Sequence, residues 1–411
     1  MALEKDITNE REAYRTRNPG EFPDVIHATF VKEWDLKYGE NPSQAAAIYN
    51  LASLGPHNTK IISGLTDVRS VRTDSKGKGG LSLTNTMDIC RAMDVLKFFR
   101  DKQVVVIMKH NIVSGFAKIN YHNISDNLRT QTDLFRLARH ADLLSNFGGT
   151  TAFSTPLTMQ TAEAMYELRE QNPFFVDVVA APEYEEGVIG YLERQSKTLR
   201  IGQFSHLDKL PRFRGGDTYG LLSIKEMPSG RFGIQDLFLT SIMRADDFVL
   251  KPYVVKDGER HQIQKVLTPN GLDDLLTAWY LNLSGARSNG VVFVKDGVSV
   301  AMGSGKVARV KAVVDAIISG MQNAMDREGI SYDKLKGIEG YEQLKDNPFQ
   351  GAVCSSDAFF PFPDSLEFIA RVGTCAVVQP YGSEKDILSI DAANKHGIAM
   401  PATLERCFGH W

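Results

Sequence analysis

The sequence predicts an α/β protein built from two related domains, and two stretches of the chain carry this prediction. In the first stretch, apolar residues recur at helical spacing from Leu81, and the β-branched run 104–107 follows. In the second, a helical pattern over 272–281 leads into strands at 291–294 and 298–302, which an Asp-Gly pair joins as a hairpin turn. A helix that feeds a buried strand is typical of a layered α/β domain, so its recurrence predicts two such domains.

Chain length and an internal similarity agree with two domains. The 411 residues exceed the usual size of one hydrophobic core, and 43% of them are hydrophobic. The segments 145–147 and 178–182 of the first half parallel 356–359 and 376–380 of the second, which indicates an internal repeat. We expect a lead-in at 1–30, a first domain at 31–200, an inter-domain connection at 201–264 and a second domain at 265–411.

The composition argues against several classes of protein. With 47 basic and 50 acidic side chains the net charge is -3, which lacks the positive field of a nucleic-acid-binding protein, so we expect no nucleic-acid partner. The four cysteines are scattered, without the close pairs of a zinc site or disulfide framework, and we expect no metal site. The charged N-terminus is unlike a signal peptide, and no apolar run reaches the ~18 residues of a membrane span. We therefore expect no membrane contact and a cytoplasmic location.

The first candidate for chemistry is the pair Lys109–His110. It stands where the predicted strand 104–108 runs out into a polar segment that ends at Ser114 and Gly115. Ligands bind at strand ends in α/β sheets, and a cation beside a histidine favours the neutral imidazole. His110 can then accept a proton while Lys109 supplies a positive charge, which suits attack by a weak amine nucleophile. The alternative is a pair that faces solvent without a chemical role.

The second candidate is the glycine-containing turn 302–306, which leads from a strand into a helix with Arg309 in its first turn. Backbone amides at a helix start, with an arginine nearby, form an anion site suited to a phosphate. The segment is not a Walker A motif, because Val307 stands where that motif requires Ser or Thr. The alternative is an ordinary turn without a ligand.

The third candidate is the segment 356–364, in which three phenylalanines and two prolines are interleaved with two aspartates. Aromatic side chains held in a proline-rich loop can stack on planar heterocycles, and a neighbouring carboxylate can pair with an amino-pyrimidine edge. A purine intermediate and a pterin both fit this description. The alternative is a hydrophobic plug that covers the sheet.

Several enzyme classes lack their motifs in this sequence. There is no HxE followed by PCxxC for zinc-dependent deamination, and no GxSxG for a serine hydrolase. No GxGxxG follows a strand to bind a dinucleotide.

The ordered motifs resemble one family closely, the transformylase part of the bifunctional aminoimidazole carboxamide ribonucleotide (AICAR) transformylase and IMP cyclohydrolase. The resemblance extends from Lys37 to the end of the chain, and so many motifs in one order make coincidence an unsatisfactory explanation. The matching motifs are Lys37 to Pro42, Leu81-Ser82 with Asn85, Lys109-His110, Ser145 to Gly148, Ala181-Pro182 with Tyr184 to Glu186, Ser288-Asn289, Arg309, Asp357 to Phe362, and Arg406 with Phe408.

The resemblance implies a fold, an activity and an assembly. The fold would be two tandem cytidine-deaminase-like α/β/α three-layer domains, and the chain would form a homodimer with its active sites at the interface. The activity would be transfer of a formyl group from 10-formyltetrahydrofolate to the 5-amino group of AICAR, a step of purine (IMP) biosynthesis. Because the first motif stands at Lys37, with no room before it for a cyclohydrolase domain, we expect a stand-alone transformylase without cyclohydrolase activity.

The resemblance also assigns roles to particular residues. Lys109 and His110 are implied to be the catalytic pair, with Asn289 positioning the carboxamide and the reacting amine. Arg309 and Arg406 would bind the nucleotide phosphate and nearby groups. The other residues implied to bind the nucleotide are Lys37, Tyr38, Gly39, Phe147, Gly148, Asp177 and Phe359, and those implied to bind the folate are Pro361 and Asp364. No metal takes part, although some members of the family hold a structural monovalent cation.

Two departures from the family pattern concern the substrate contacts. The family usually has Arg where Lys37 stands, which replaces a bidentate phosphate fork by a point charge. It usually has His where Ser43 stands, so a histidine contact is lost or supplied elsewhere.

Two other functions remain open at this stage. One is synthesis of the same product from formate and ATP, and the other is a catalytically silent sensor of purine nucleotides. Retention of the proton-transfer pair with Asn289 argues against the sensor, because binding alone does not need them.

Overall fold

The fold is seen in a computed structural model of the chain. The residues that it describes are 4–7, 27–37, 47–54, 67–72, 80–119, 129–171, 175–218, 221–228, 231–330 and 344–410. Within these ranges no helix is long and apolar enough to cross a membrane.

The described elements are seventeen strands and eight α-helices. The strands are β1 (Glu4–Asp6), β2 (Ala28–Asp35), β3 (Ala47–Leu54), β4 (Val68–Ser70), β5 (Val104–Lys109), β6 (Ile112–Lys118), β7 (Thr150–Phe153), β8 (Val178–Ala181), β9 (Arg200–Phe204), β10 (Leu222–Met227), β11 (Arg231–Asp236), β12 (Lys251–Lys256), β13 (Glu259–Gln262), β14 (Val291–Lys295), β15 (Val298–Gly303), β16 (Val353–Ser356) and β17 (Ala376–Val378). The helices are α1 (Leu83–Leu96), α2 (Gln131–Ala141), α3 (Met159–Gln171), α4 (Val188–Gln195), α5 (Pro269–Gly285), α6 (Arg309–Glu328), α7 (Asp364–Arg371) and α8 (Asp386–Lys395). Short 3₁₀ turns lie at 97–99, 207–209 and 245–247.

A single ten-stranded mixed sheet dominates the molecule, in the order β17-β16-β14-β15-β6-β5-β7-β8-β9-β4. The expected α/β class is therefore confirmed. The element order α1-β5-β6-α2-β7-α3-β8 of the first half recurs as α5-β14-β15-α6-β16-α7-β17 in the second. The two halves join where β15 pairs antiparallel with β6, at Val298 and Ala117. The domain limits stay a prediction, and the expected limit at residue 200 falls at the start of β9.

The repeat holds for one of the two expected segment pairs. β8 and β17 occupy matching places, since each lies parallel to the strand before it, β7 or β16. The pairing of 145–147 with 356–359 is wrong. The first segment precedes β7, whereas the second begins at the last residue of β16, the strand that corresponds to β7. The registers show that Phe153, opposite Val105, corresponds to Ser356, opposite Val291.

The sheet is covered by helices on both faces. Val104, Val106 and Met108 pack into a core with α1 and α5, while Val105 and Ile107 pack into a second core with α2 and α3. A third core joins the other face of β14 and β16 to α6 and α7. Alternate residues of one strand thus enter opposite cores, which is why these strands are apolar throughout. Complete burial of each such side chain contributes about 1.5 to 3 kcal/mol.

Two helices that pack on the sheet, α1 and α5, begin at side-chain caps supplied by the sequence. Ser82 accepts a hydrogen bond from the Asn85 backbone, and the Asn85 side chain accepts one from the Ser82 backbone, so a capping box starts α1. Thr268 caps α5, and Pro269 stands at its first turn, where the missing N–H is not needed. Both helices therefore enter at fixed positions beside the strands that follow them.

Two glycines let helices approach the centre of the sheet. A Cβ atom on Gly115 of β6 would lie 2.1 Å from the Ala138 carbonyl oxygen of α2. A Cβ atom on Gly303 of β15 would lie 2.0 Å from the Ala312 carbonyl oxygen of α6. The missing side chains allow backbone contact at both places, and α6 therefore starts close to the end of β15.

Three small sheets lie outside the main one. β2 pairs with β3 and β10 with β11, each as an antiparallel pair, while β1, β12 and β13 form a three-stranded sheet. The expected inter-domain connection, 201–264, thus contains the whole of β10, β11, β12 and β13.

Candidate active site

Most of the predicted site residues in the described ranges lie at one end of the ten-stranded sheet. The carboxyl end of β5 meets the amino ends of β7 and β8, because Met108 faces Thr150 and Thr150 faces Val178. The amino end of β14 meets the carboxyl ends of β15 and β16, since Val291 faces both Gly303 and Ser356. β15 runs parallel to β5, as both are antiparallel to β6, so all of these termini are at the same end.

Lys109 and His110 lie at the tight turn that joins β5 to β6. The strand 104–108 is buried as expected, but the polar segment after it is wrong, because 112–118 forms a strand antiparallel to β5. His110 and Asn111 have φ values of 55° and 64°, as a two-residue hairpin turn of the primed type requires. The Lys109 ammonium donates a hydrogen bond of 2.7 Å to the Phe147 carbonyl oxygen. The turn therefore presents the His110 side chain from a fixed, left-handed backbone.

A cavity of about 290 Å³ lies beside this turn. Lys109 and His110 line one side of it, and Met302 of β15 with Ser319 and Asn323 of α6 line another. The Lys109–His110 pair of the first half therefore shares a cavity with polar groups of the second half across the β6–β15 junction.

A polar network supports the turn. Two of its members, Asp88 and Thr150, were not predicted as site residues from the sequence. The carboxylate of Asp88, in α1, accepts hydrogen bonds from the Asn111 backbone N–H at 2.8 Å and from the Thr150 hydroxyl at 3.4 Å. Asn85, one turn earlier, donates to Asp177 at 3.1 Å. The sequence places Asp88 on the same polar stripe as Arg91 and Asp94, but those two form an ion pair with each other. The signal available in the sequence was the spacing of three between Asn85 and Asp88 on α1, the helix that precedes β5.

The residues Phe147, Gly148 and Asp177 gather at the amino ends of β7 and β8. The Phe147 ring is 49% exposed, and the Gly148 N–H donates to the Phe175 carbonyl oxygen at 2.6 Å from a left-handed backbone. The Asp177 carboxylate accepts a hydrogen bond of 2.5 Å from Arg200, which is itself buried. Asp177 is thus held in place while part of it stays accessible.

A second, more buried cluster surrounds Arg309 at the start of α6. Its guanidinium donates to the Asn289 side-chain oxygen at 2.9 Å, to the Ser356 hydroxyl at 3.0 Å and to the Asp357 carboxylate at 2.6 Å. Burial lowers the pKa of Arg309 and raises the pKa of Asp357, and their mutual attraction opposes both changes. Arg309 is in the first turn of the helix as expected, yet it faces protein acceptors and only 8% of it is exposed.

The glycine turn before α6 positions Asn289. The Asn289 amide donates to the Lys306 carbonyl oxygen at 2.9 Å, and its side-chain oxygen is occupied by Arg309. The Ser304 hydroxyl accepts the Arg287 N–H at 2.6 Å, which ties the turn to the segment before β14. Asn289 is therefore oriented from two sides.

The C-terminal segment closes over this second cluster. The Cys407 N–H donates to the Asp357 carbonyl oxygen, and Ser288 and Gly409 exchange hydrogen bonds of 3.0 and 3.1 Å. Arg406 is exposed, and its guanidinium lies 4.8 Å from the centre of the Phe408 ring. This segment thus brings a solvent-facing cation next to the Asn289 cluster.

The aromatic segment 356–364 divides between the two interpretations that the sequence left open. Phe360 is fully buried and its N–H donates to the Gln379 side chain at 2.8 Å, as in a hydrophobic plug. Phe359 and Asp364 are half-buried, whereas Pro361 and Phe362 are exposed. The outer residues of the loop are therefore available to a ligand.

The structure gathers the predicted residues into two clusters along the same sheet end. β5 and β14 are three strand spacings of about 4.8 Å apart, so the two strands at which the clusters lie are roughly 14 Å apart across the sheet. Lys37 is exposed at the end of the described range 27–37. Tyr38 and Gly39 lie outside the described residues.

The fold and these clusters define an α/β protein with a polar site at one end of a mixed sheet. Residues 4–319 match the AICARFT/IMPCHase bienzyme family, and the chain belongs to that family.

Relatives from several bacteria carry the name bifunctional purine biosynthesis protein PurH. The protein of Persephonella marina is 31% identical over 389 residues, which is 95% of this chain and 62% of the relative. That of Anaeromyxobacter sp. strain K is 32% identical over 394 residues, and that of Acetivibrio thermocellus 31% over 391, with the same two coverages. The chain thus spans 62% of the length of these relatives.

Proposed function

We propose that these 411 residues transfer a formyl group from 10-formyltetrahydrofolate to the 5-amino group of AICAR, giving formyl-AICAR and tetrahydrofolate in purine (IMP) biosynthesis. The observation that carries the proposal is the Lys109–His110 turn, fixed at the polar sheet end beside a cavity of about 290 Å³. Membership of the AICARFT/IMPCHase family supports the same reaction. The formyl transfer would be the part of the bifunctional activity that resides in this chain.

The proposed chemistry needs a base and a cation near the attacking amine. The AICAR amine is conjugated with its ring and is a weak nucleophile, so its proton must leave as the bond to the formyl carbon forms. His110 accepts that proton, relayed through the adjacent carboxamide. The Lys109 ammonium stabilises the developing oxyanion or protonates the departing folate nitrogen. The hydrogen bond from Lys109 to the Phe147 carbonyl holds the ammonium at the turn before substrate binds.

The second cluster would orient the nucleotide. Asn289 is fixed by Lys306 and Arg309, which suits a residue that positions the carboxamide and the amine. Because Arg309 is buried and donates to three protein acceptors, we assign its effect on the nucleotide to the placement of Asn289. Arg406, which is exposed, then becomes the main phosphate ligand.

The outer part of the aromatic loop would receive the folate. Pro361 and Phe362 are exposed and can pack against the flat pterin, and the Asp364 carboxylate can accept hydrogen bonds from an amino-pyrimidine edge. The Asp364 oxygen that accepts the Ser365 N–H at 2.7 Å fixes the carboxylate at the start of α7. These residues therefore fit the co-substrate.

The assembly proposed is a homodimer with active sites at the interface, each half of the chain being a cytidine-deaminase-like α/β/α domain. The strands that carry the two clusters lie roughly 14 Å apart across the sheet, and a second subunit packed on this sheet end would bring Lys109 and Asn289 of different chains to one substrate. A partner subunit can supply the missing cluster to each site.

The donor and the reaction can be tested together. Purified protein is incubated with AICAR and either 10-formyltetrahydrofolate or formate with ATP, and the nucleotide is identified by mass. Formyl-AICAR with the folate donor alone is the expected result. Product only with formate and ATP would establish the alternative ligase, and AICAR bound but unchanged with both donors would establish a sensor.

A further inference from the structure

Asp88 of helix α1 lies behind the Lys109–His110 turn. Its hydrogen bonds in the described structure go to Asn111 and Thr150, and not to Lys109 or His110, the pair to which the family resemblance assigns the chemistry. We propose that Asp88 is a positioning residue, which fixes the turn and stabilises the protonated imidazole of His110 during proton transfer. The inference rests on the proposed function, since it concerns the base of that reaction.

The contacts of Asp88 connect three elements. One carboxylate oxygen accepts the Asn111 N–H at 2.8 Å, so α1 caps the second left-handed residue of the turn. The other accepts the Thr150 hydroxyl at 3.4 Å, at the first residue of β7. A left-handed residue other than glycine is strained, and a charged acceptor for its N–H helps to keep this conformation. Asp88 therefore determines where the intervening His110 can point.

The charges that face Asp88 come from the turn and from the neighbouring strands. Burial raises the pKa of Asp88, while the Asn111 hydrogen bond and the charge of His110 oppose that effect. Asp177, before β8, adds a second negative charge, but Arg200 and Asn85 bind it directly. Within the turn, His110 is thus the residue whose charge acts on the Asp88 carboxylate.

The consequence for the reaction follows from charge balance. When His110 removes the proton from the attacking amine, an imidazolium forms whose charge acts on the partly buried Asp88 carboxylate. Their attraction lowers the energy of this state, as a third group does behind the histidine of other acyl-transfer sites. The proton itself stays on the imidazole, and Asp88 is not required to take it.

The test compares Asp88→Asn with the matched control Asp94→Asn. Both remove one carboxylate from the same helix, but Asp94 pairs with Arg91 and Lys97, away from the turn. Loss of outer groups that orient a reactive histidine costs about 10- to 100-fold at metal sites, and we expect a loss of kcat in the same range for Asp88→Asn. The KM for AICAR should stay within about threefold, and the acidic limb of the kcat/KM profile should move to lower pH. Asp94→Asn should match the wild type.

A double variant shows whether Asp88 acts through His110. Asp88→Asn should have almost no further effect on kcat in a His110→Ala background, because the group it supports is absent. An undiminished effect in that background, or an acidic limb that does not move, would overturn the proposal.

A measurement without substrate separates this inference from the proposed function. Hydrogen exchange at the Asn111 amide should accelerate in Asp88→Asn and stay unchanged in Asp94→Asn, whether or not the wild type transfers formyl groups. If Asp88→Asn does not fold, Thr150→Val loosens the same carboxylate and should show the same pattern to a smaller degree. Unchanged exchange in both Asp88→Asn and Thr150→Val would contradict the assigned role, and an inactive wild type would contradict only the proposed function.

Discussion

At the scale of single residues, His110 is distinguished by its backbone as much as by its imidazole. Its left-handed conformation, with φ of 55°, places the side chain at the apex of a hairpin beside the cavity. The bulk of β5 behind it is buried, so the turn has little freedom to move. We therefore expect the loss of the His110 side chain to lower kcat far more than it weakens AICAR binding.

Replacing His110 by Ala should lower kcat by about 10²- to 10⁴-fold, because a general base contributes in this range. AICAR affinity, measured by calorimetry, should change by less than about threefold. His206→Ala is the matched control, since His206 is also left-handed, with φ of 60°, but lies at a 3₁₀ turn elsewhere. A His110→Ala rate within twofold of the wild type would remove this residue from the mechanism.

Arg309 and Arg406 should differ in what they contribute. Arg309→Ala leaves the Asp357 carboxylate buried without its cation, which costs about 3 to 5 kcal/mol of stability, and it should weaken AICAR and the dephosphorylated nucleoside equally. Arg406→Ala should leave stability unchanged and weaken only the nucleotide, by about 1.5 to 3 kcal/mol. Thermal unfolding and binding of both ligands are the measurements. Selective loss of the nucleotide in Arg309→Ala would restore Arg309 as a direct phosphate ligand.

At the scale of elements, the hairpin between β14 and β15 depends on a buried carboxylate. Asp274 of α5 accepts the Asp296 and Gly297 N–H groups at 2.7 and 2.8 Å. Burial nevertheless raises the pKa of Asp274 to about 6, with those hydrogen bonds and Lys118 opposing it. The carboxyl oxygens of Asp274 thus serve as acceptors for the turn, while burial disfavours the ionised form.

This raised pKa predicts a pH dependence of stability. Between pH 4 and 6 the folded protein binds more protons at Asp274 than the unfolded chain does, so this group's contribution to stability falls as pH rises through that window and is lost above it. The shift corresponds to about 3 kcal/mol. Asp274→Asn should flatten the curve of unfolding free energy against pH by up to this amount, besides a constant loss from the missing acceptor. Asp101→Asn, whose carboxylate is 89% exposed, is the control. An unchanged slope in Asp274→Asn would show that another group causes it.

Sequence patterns were sufficient for the elements whose residues repeat at a regular spacing. The helix from Leu81, the strand 104–108 and the hairpin around Asp296 were predictable because apolar periodicity and an Asp-Gly turn act locally. β6 was not, since its glycine, Gly115, faces a helix that approaches only in the folded chain. For the same reason Asp88 could not be told from the solvated Asp94 until α1 was packed on the sheet.

At the scale of the whole molecule, the proposed reaction needs two clusters on one sheet end to act on one substrate. The resemblance to a known family assigned the members of each cluster, but the distance between them depends on the strand order, which no local pattern encodes. The order places β6 and β15 between β5 and β14. A site shared between subunits is the arrangement that we propose.

Mixing two inactive variants tests a shared site directly. If each site takes Lys109–His110 from one subunit and Asn289 from the other, His110→Ala and Asn289→Ala should complement each other. Random exchange of subunits in a dimer then restores about a quarter of the wild-type activity, because half of the dimers are hybrids with one intact site. The control is either variant mixed with itself after the same unfolding and refolding. Absence of any recovery, with hybrid dimers shown by native mass spectrometry, would place each site within one chain.

The central claim is that this chain moves a formyl group from a reduced folate to the AICAR amine. The most direct measurement follows a ¹³C label from the formyl carbon of 10-formyltetrahydrofolate, without ATP, in the presence of wild-type protein or His110→Ala. We expect the label on the 5-amino group of the nucleotide, at a rate proportional to wild-type protein and about 10²- to 10⁴-fold lower with the variant. A label that stays on the folate or is released as formate, while AICAR is recovered unchanged, would contradict it.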